Sequence, residues 1–299
     1  MNKYIIGIDG GGTKTIGYLF DEKGKVLEKM ENGFSNFSVD EMVATSNIKT
    51  IIDYLYEKID DTDLNIKIVM GIAGASKFLN KGSFISDLEA KYQAQVILEN
   101  DAVIALYSLK KNIKNKNFIL AIGGTGSAVM SYDDKIRLFG GYGHILGDEG
   151  SAYHTVIESF RQIIRNYERN KSTLFDKCLL KTIHQDDAEG IKNFVYNHSK
   201  SDIAALAQQI SYLADNGSKE AINILEKEGR MLAKQIITAY KSLSKDKEVI
   251  IGLRGGFILK NKFAQNALKK ELDKHIKGYT LETNGEEPVV GTYYLGKDK

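Results

Sequence analysis

The sequence predicts an α/β fold divided into two domains of related construction, and two features of the residue pattern predict it. An apolar strand, a Gly-rich turn, a second strand, a turn and a third strand open the chain, and the same succession returns roughly 110 residues later, as expected of a duplicated supersecondary unit. Elsewhere, short β-rich apolar runs alternate with stretches of helical period, which is how a parallel sheet with covering helices reads in sequence.

The first unit starts with Tyr4 to Ile8 and enters Asp9-Gly10-Gly11-Gly12-Thr13-Lys14-Thr15. Ile16-Gly17-Tyr18-Leu19-Phe20 then alternates as a second strand, and Glu22-Lys23-Gly24 turns into a third around Lys25 to Met30. Glycine tolerates positive φ and lets main chain approach a ligand closely, so the run can aim several N–H groups at one anion, phosphate above all. A tight turn with no ligand fits the same residues. The dinucleotide fingerprint and the P-loop are excluded, because both need a helix after the glycines and the P-loop needs Gly-Lys-Ser/Thr as its ending. The second unit runs from Phe118 to Ile122 through Gly123-Gly124-Thr125-Gly126-Ser127 to Ala128–Tyr132, a turn at Asp133-Asp134, and Ile136 to Phe139. Two such turns would suffice to hold the phosphate tail of a nucleotide.

Composition sets the outer limits. The 299 residues are long enough for two domains with a sizeable core. With 41 basic against 39 acidic residues, the net charge of +2 suggests neither a nucleic-acid nor a membrane partner. The single cysteine, Cys178, excludes an internal disulfide framework and a cysteine-rich metal site, and points to a reducing cytoplasm. The apolar run before Asp9 is too short for a signal sequence, and no apolar stretch is long enough to span a bilayer.

Taken in order, Gly33 to Ser38 is a polar turn with Ser38 as the expected N-cap of a helix reaching about Lys58. Asn36 in that turn either bonds its own loop backbone or serves a ligand. Ile66 to Ile72 reads as a buried parallel strand ending in Gly71-Ile72-Ala73-Gly74-Ala75, the end at which open α/β sheets place ligands. A helix over Gly82 to Tyr92 and a strand over Gln95 to Leu98 follow. Asp101, after Glu99-Asn100, is either the N-cap of the next helix, a role open to Asn100 as well, or a carboxylate at a strand's carboxyl end where a phosphoryl-transfer base is wanted. The polar run Lys110 to Asn117 marks a domain boundary, giving domains 1–113 and 114–299.

In the second domain Gly140-Gly141-Tyr142-Gly143-His144 and Gly147-Asp148-Glu149-Gly150-Ser151 precede a helix to about Asn166. Asp148 and Glu149 suit the first turn of that helix through its dipole. His144 is expected to pack beside Tyr142. Helical patterns run from Asn170 to Lys245; a strand from Glu248 to Leu253 ends in Arg254-Gly255-Gly256, and a helix begins near Asn261. Pro288 is placed to start a last helix through Tyr294, which is expected to pack back on the first domain.

DGGGTKT (Asp9 to Thr15), GIAGA (Gly71 to Ala75), ENDA (Glu99 to Ala102), GGTGS (Gly123 to Ser127), GGYGHILGDEGSAY (Gly140 to Tyr153) and the late Gly255-Gly256 span nearly the whole chain. In that order they resemble the sugar-kinase, heat-shock chaperone and actin superfold, and within it the N-acetylglucosamine kinase and BadF/BadG/BcrA/BcrD ATPase family. The resemblance implies two actin-like (ribonuclease H-like) domains with a nucleotide and sugar cleft between them. It implies ATP-dependent phosphorylation of the 6-hydroxyl of N-acetylglucosamine or a close relative, N-acetylmuramic acid or glucosamine, in cell-wall sugar salvage, by a cytoplasmic homodimer. Gly11, Gly12, Thr13 and Lys14, with Gly124, Thr125, Gly126 and Ser127, would then cradle phosphates, and Gly255 and Gly256 would approach the adenosine. Lys14 would add a point charge or stand as a solvated hairpin residue. Asp9 would hold Mg²⁺ through water and Asp101 would be the base. Asn36, Asp101, Tyr142, Asp148 and Glu149 would contact the sugar. Arg254 departs from the small residue that many relatives carry before the glycine pair.

The rival implied by the same family is an ATPase activator of a 2-hydroxyacyl-CoA dehydratase, which bridges an iron–sulfur cluster with cysteines from each subunit of a dimer. Cys178, in a helical region remote from any Gly turn, supports that poorly. A sugar-responsive repressor or a peptide-binding chaperone is not expected, since the first strand starts at about Lys3 and no separate binding domain is recognisable.

Overall fold

A computed structural model describes residues 2–59, 64–114, 116–244 and 247–299. The chain forms two compact units, Met1–Lys114 with Asn284–Lys299, and Asn115–Thr283. Asn115 of the polar connection, and Lys245 at the expected end of the helical stretch, lie outside the described residues.

The first unit holds β1 (Asn2–Gly10), β2 (Thr15–Phe20), β3 (Val26–Asn32), α1 (Glu41–Tyr56), β4 (Leu64–Ile72), α2 (Lys81–Tyr92), β5 (Gln95–Glu99) and α3 (Asp101–Lys110). Its sheet has the order β3-β2-β1-β4-β5. The hairpin strands pair antiparallel and β1, β4 and β5 pair parallel, in a register that sets Asp9 opposite Gly71 and Gly71 opposite Glu99. Alternation decides what each face buries. Ile6, Ile8, Ile68, Met70 and Leu98 turn one way onto Ile48, Ile51, Ile52 and Leu55 of α1 and Phe84 and Leu88 of α2. Helix α1 is capped by Asp40, whose Oδ1 accepts the Val43 N–H at 3.0 Å, not by Ser38. The Ser38 N–H is instead donated to Asn36 Oδ1 at 2.9 Å, which keeps that residue in the turn ahead of the helix.

The second unit repeats the scheme with β6 (Lys116–Gly123), β7 (Ser127–Tyr132), β8 (Ile136–Gly140), α4 (Ala152–Glu168), α5 (Leu174–Thr182), α6 (Ala188–Asn197), α7 (Lys200–Ala205), α8 (Ala207–Asp215), α9 (Lys219–Lys241), β9 (Glu248–Arg254), α10 (Gly256–Lys260), α11 (Lys262–His275) and β10 (Tyr279–Glu282). Sheet order is β10-β9-β6-β7-β8, with β6 antiparallel to β7 and parallel to β9. Leu232 and Ile236 of α9 and Leu268 and Leu272 of α11 cover the sheet with Ile119, Val129 and Ile251. A separate helical core gathers Phe160, Phe175, Leu179, Ile191, Ile210 and Leu225 around α4. The edge strand β10 was not expected from sequence; it is short, and its residues are at best half-buried, so no alternating signal marks it.

The chain returns to its first unit through α12 (Val290–Asp298). Pro288 stands in the turn before this helix and not at its first position, its carbonyl accepting the Gly291 N–H at 2.8 Å. Close approach needs glycine here: a Cβ on Gly291 would lie 1.8 Å from the Ile104 carbonyl oxygen of α3. A Cβ on Gly7 of β1 would likewise lie 1.9 Å from Thr292 Oγ1. Backbone cannot yield as a flexible side chain can. Gly291→Ala is therefore expected to destabilise the protein by roughly 1–3 kcal/mol, as overpacking in a dense interior does. Urea denaturation checks this, and an unchanged midpoint would show that α12 is not seated against α3.

Candidate functional site

Three loops converge at the carboxyl ends of β1 and β4, bound by main-chain hydrogen bonds. The Ala73 N–H donates to Gly10 O at 2.8 Å, the Phe37 N–H to Ala73 O at 3.0 Å, and the Ser35 N–H to Gly11 O at 3.0 Å. Thr15 Oγ1, buried, adds hydrogen bonds of 2.5 Å to Ser35 Oγ and 2.6 Å to Gly33 O. Asn36 is thus held between two anchored neighbours, half-buried, with Oδ1 accepting the Ser38 N–H. That is the local loop bond which the sequence admits, made by one atom of the side chain.

In the turn itself Gly11 N–H donates to Lys14 O at 3.1 Å, while Gly12 and Thr13 are exposed. A Cβ on Gly12 would meet nothing within 4 Å, so the protein's own packing does not demand a glycine there. Lys14 is solvated and ion-paired to Glu31 at 2.9 Å.

Beside this turn stand three carboxylates. Asp9 is the next-to-last residue of β1, Asp101 opens α3, and Glu287 arrives with the segment before α12 and accepts a hydrogen bond from the Tyr18 hydroxyl. Asn100 is the N-cap of α3, accepting the Ala102 N–H at 3.0 Å, so Asp101 is not needed for that task although its Oδ1 shares the same donor. Burial pushes the Asp101 carboxyl above the usual range, opposed by its backbone N–H bonds. Asp9 is pushed up to about 7, first by burial and then by the negative charges of Asp101 and Glu287, with Lys14 pulling the other way. Nothing in the local residue pattern marked Glu287, because its approach depends on α12 returning to this unit.

In the second unit the turn after β6 and the glycine pair after β9 emerge side by side, since Ile122 stands opposite Arg254 in the parallel register. They open on a cavity of about 590 Å³ whose lining includes Gly124, Thr125, Ser201, Gln208, Gly256 and Phe257. Gly255, at φ 98°, lies against the first turn so closely that a Cβ would come 2.5 Å from Gly123 O. Arg254 is drawn toward the sheet edge by Glu282 of β10 at 2.9 Å.

The loop 147–151 is welded to that turn. Ala152 and Tyr153 donate N–H bonds of 2.9 and 3.2 Å to Gly124 O and Thr125 O. Ser127 donates its N–H to Asp148 Oδ1 at 3.1 Å and its hydroxyl to Glu149 O at 2.8 Å, so both its donors are taken within the unit. Asp148 is 3% exposed, and its other oxygen meets Lys200 Nζ at 2.6 Å. Beneath the loop, the fully buried Glu228 of α9 accepts the Gly150 N–H at 2.8 Å and faces His154 Nδ1 at 2.9 Å. Burial lowers the His154 pKa, but the hydrogen bond and charge of Glu228, with Glu158 and Glu149, raise it on balance. Glu149 is half-buried and Tyr142 exposed, and His144 stands edge-on to Tyr153 at 5.0 Å, not against Tyr142. Lys200 and Glu228 carry no signal in sequence that separates them from surface helix residues. Cys178 packs along α5 against the helical core.

A testable consequence concerns Asp9. A carboxyl that binds its proton more tightly when folded contributes stability that is complete below the ordinary value of 3.8 and is lost as pH rises through about 7. Asp9→Asn should therefore stabilise the ligand-free protein by on the order of 4 kcal/mol at pH 8, with the gain vanishing near pH 4. Denaturation midpoints across that range decide the matter; a gain independent of pH would refute the cause.

Among the described residues no helix is long and apolar enough to cross a membrane, and no group of three or more His, Cys, Asp and Glu side chains is arranged to hold a metal ion by itself. The chain is 30% identical to an N-acetylmuramic acid/N-acetylglucosamine kinase of Clostridium acetobutylicum, over 99% of each chain. It is 26% identical to an N-acetyl-D-glucosamine kinase of Dictyostelium discoideum, over 99% of this chain and 98% of that one. A crystal structure from Chromobacterium violaceum, provisionally an N-acetylglucosamine kinase, superposes with a TM-score of 0.74 over 98% of each chain at 19% identity, which shows the same actin-like α/β fold. The model of the BadF/BadG/BcrA/BcrD ATPase family matches residues 6–293, and the chain belongs to that family.

Proposed function

We propose that this protein is an ATP-dependent amino-sugar kinase that phosphorylates the 6-hydroxyl of N-acetylglucosamine or N-acetylmuramic acid. The observation that carries the reading is Asp101: a largely buried carboxylate at a strand's carboxyl end, relieved of capping duty by Asn100 and raised in pKa by burial. Full-length similarity to two amino-sugar kinases supports the same acceptor class.

Phosphoryl transfer asks a protein chiefly for positioning and charge stabilisation. The cavity bordered by Gly124, Thr125 and Gly256 has the size and the apolar Phe257 wall suited to an adenosine, with the Gly-rich turn at its edge for the phosphates. Thr125 and Gly126 offer that turn's contacts, and Ser127 shapes it from within. Gly11, Gly12, Thr13 and Lys14 supply the corresponding turn of the first unit, where Gly12 leaves open space for a ligand oxygen. Asp101 accepts the proton of the acceptor hydroxyl as the oxygen attacks the γ-phosphorus. Asn36, whose amide nitrogen is not used by the Ser38 bond, and, from the second unit, Tyr142 and Glu149 address the sugar ring, and Asp148 holds the loop that carries Glu149.

The carboxylate set fits a divalent cation. Asp9 is raised by burial and then by the negative charges of Asp101 and Glu287, a repulsion that a nearby cation would relieve, and magnesium is content with one carboxylate, water and nucleotide phosphates. Asp9 would hold Mg²⁺ through water, and the bound ion would neutralise charge on the phosphates. The lone Cys178 and the kinase chemistry suit the cytoplasm, with salvage of cell-wall sugars as the setting.

A coupled ADP-release assay with N-acetylglucosamine, N-acetylmuramic acid, glucosamine and glucose tests the proposal. We expect stimulation by the N-acetylated sugars, and failure of all four would end the reading. Asp101→Asn should lower sugar-dependent turnover by roughly 10²–10⁴-fold, the usual worth of a positioned base, while ATP affinity stays within about twofold. Unchanged turnover would remove Asp101 from the role.

A further inference from the structure

Lys200 was invisible as a functional residue in the sequence, where it is one of 41 basic residues at the start of a short helix. The fold gives it a particular place. Its ammonium is 2.6 Å from Asp148, whose side chain is 4% exposed, while its own side chain keeps 31% of its surface open. A buried carboxylate thus aims a partly accessible cation.

Gly126 of the second Gly-rich turn shows where the cation points. A Cβ at Gly126 would come within 2.7 Å of Lys200 Nζ and 2.9 Å of both Asp148 oxygens. Absence of a side chain is what lets the ammonium lie on the turn's main chain. The pair is fixed from several sides: Asp148 Oδ1 accepts the Ser127 N–H at 3.1 Å, and Ser199 caps the helix that starts at Lys200. Asp148 itself adopts φ 67°, a left-handed conformation that a non-glycine residue holds only when its surroundings enforce it. Ser201, next along the chain, lines the cavity together with Gly124 and Thr125.

Resting on the kinase reading, we infer that Lys200 is a phosphate-contacting residue of the nucleotide site, a point cation delivered to the Gly124–Ser127 turn by the Asp148 carboxylate. An ammonium tethered on one side to a buried acid and open on the other can take a phosphate oxygen without leaving its anchor, because it carries three donors. The turn's N–H groups alone are depleted for this purpose, since Gly124 N–H is given to Gly126 O at 2.9 Å and Ser127 N–H to Asp148. Lys200 makes good the missing positive charge. Its partner Asp148 is then a positioning residue, not a group that touches nucleotide.

The test compares the binding of AMPPNP and of adenosine to the full chain by calorimetry, for wild type, Lys200→Met and Lys200→Arg. The inference expects Lys200→Met to weaken AMPPNP roughly 10–100-fold, the range for a charge-assisted contact, with adenosine within about twofold and part of the loss recovered by arginine. Equal weakening of both ligands would show that Lys200 only props the turn, and no change in either would remove it from the site. A rise in KM for the sugar with AMPPNP binding intact would place it on the acceptor side; each of these three results overturns the inference. Should the methionine variant fail to fold, reductive methylation of the wild type serves instead. Protection of Lys200 by AMPPNP and not by adenosine supports the contact, and equal labelling refutes it. A wild type that binds AMPPNP but phosphorylates no amino sugar would sink the kinase reading and leave the Lys200 comparison readable.

Discussion

Parallel pairing of β1, β4 and β5 is the constraint on which the first unit's chemistry depends. Because Asp9 stands opposite Gly71 and Gly71 opposite Glu99, the three strands end in step, and whatever follows each strand is delivered to one edge of the sheet. The turn from Gly11 to Lys14, the loop at Ala73 and the start of α3 at Asp101 therefore meet without any of them having to be long. Slipping β4 by one residue would turn its buried Ile68 and Met70 outward, so the packed face on α1 enforces the register and with it the site. The charge at that edge has a second origin, in the last residues of the chain. Helix α12 fits against α3 only because Gly291 allows it, and its approach brings Glu287 near Asp9.

The second unit uses the same topology for a different end. Its two glycine-bearing turns are set side by side by the β6–β9 register, but the turn is finished by a loop from elsewhere in the chain. That loop lies on α9, where Glu228, Leu232 and Gln235 fall on one face. Glu228 takes the Gly150 N–H, Leu232 fills the space that a side chain at Gly150 would need, and Gln235 donates to Glu149 O at 3.1 Å. A fully buried glutamate is tolerable there because it is both hydrogen-bonded and opposed by His154; stripped of either, it would be a buried charge with an uncompensated desolvation cost of several kcal/mol, on the order of 3–5.

How much of this was legible in the sequence follows from the range of the interactions. Both Gly-rich hairpins could be read because each signal is local: a glycine cluster between two alternating apolar runs, with the strand pairs β1–β2 and β6–β7 formed by neighbours in the chain. Asp9 and the hairpin glycines belong to those local segments, and Asp101 follows directly on a local strand of its own, β5. The cap of α1 was displaced by two residues because Ser38 and Asp40 are both good capping types, and the bond from Ser38 N–H to Asn36 decided between them. Glu287, Lys200 and Glu228 were not legible, since their meaning comes from partners far away in sequence: Asp9, Asp148 and Gly150. Asp148 was noticed for its motif, yet its engagement by Ser127 and Lys200 is a property of the folded loop.

Asp9 and Asp101 of the first unit differ in what holds them above the ordinary range. Asp101 is raised by burial, with its own backbone bonds opposing. Asp9 is raised by burial and also by the charges of Asp101 and Glu287. The charge contribution at Asp9 is what a nearby cation would relieve, whereas the burial that raises Asp101 does not depend on a neighbouring charge. The two acids would therefore respond differently to a bound cation, Asp9 becoming the more readily ionised of the two. Separation of paired acids by their surroundings is how a single fold supplies two functions at once.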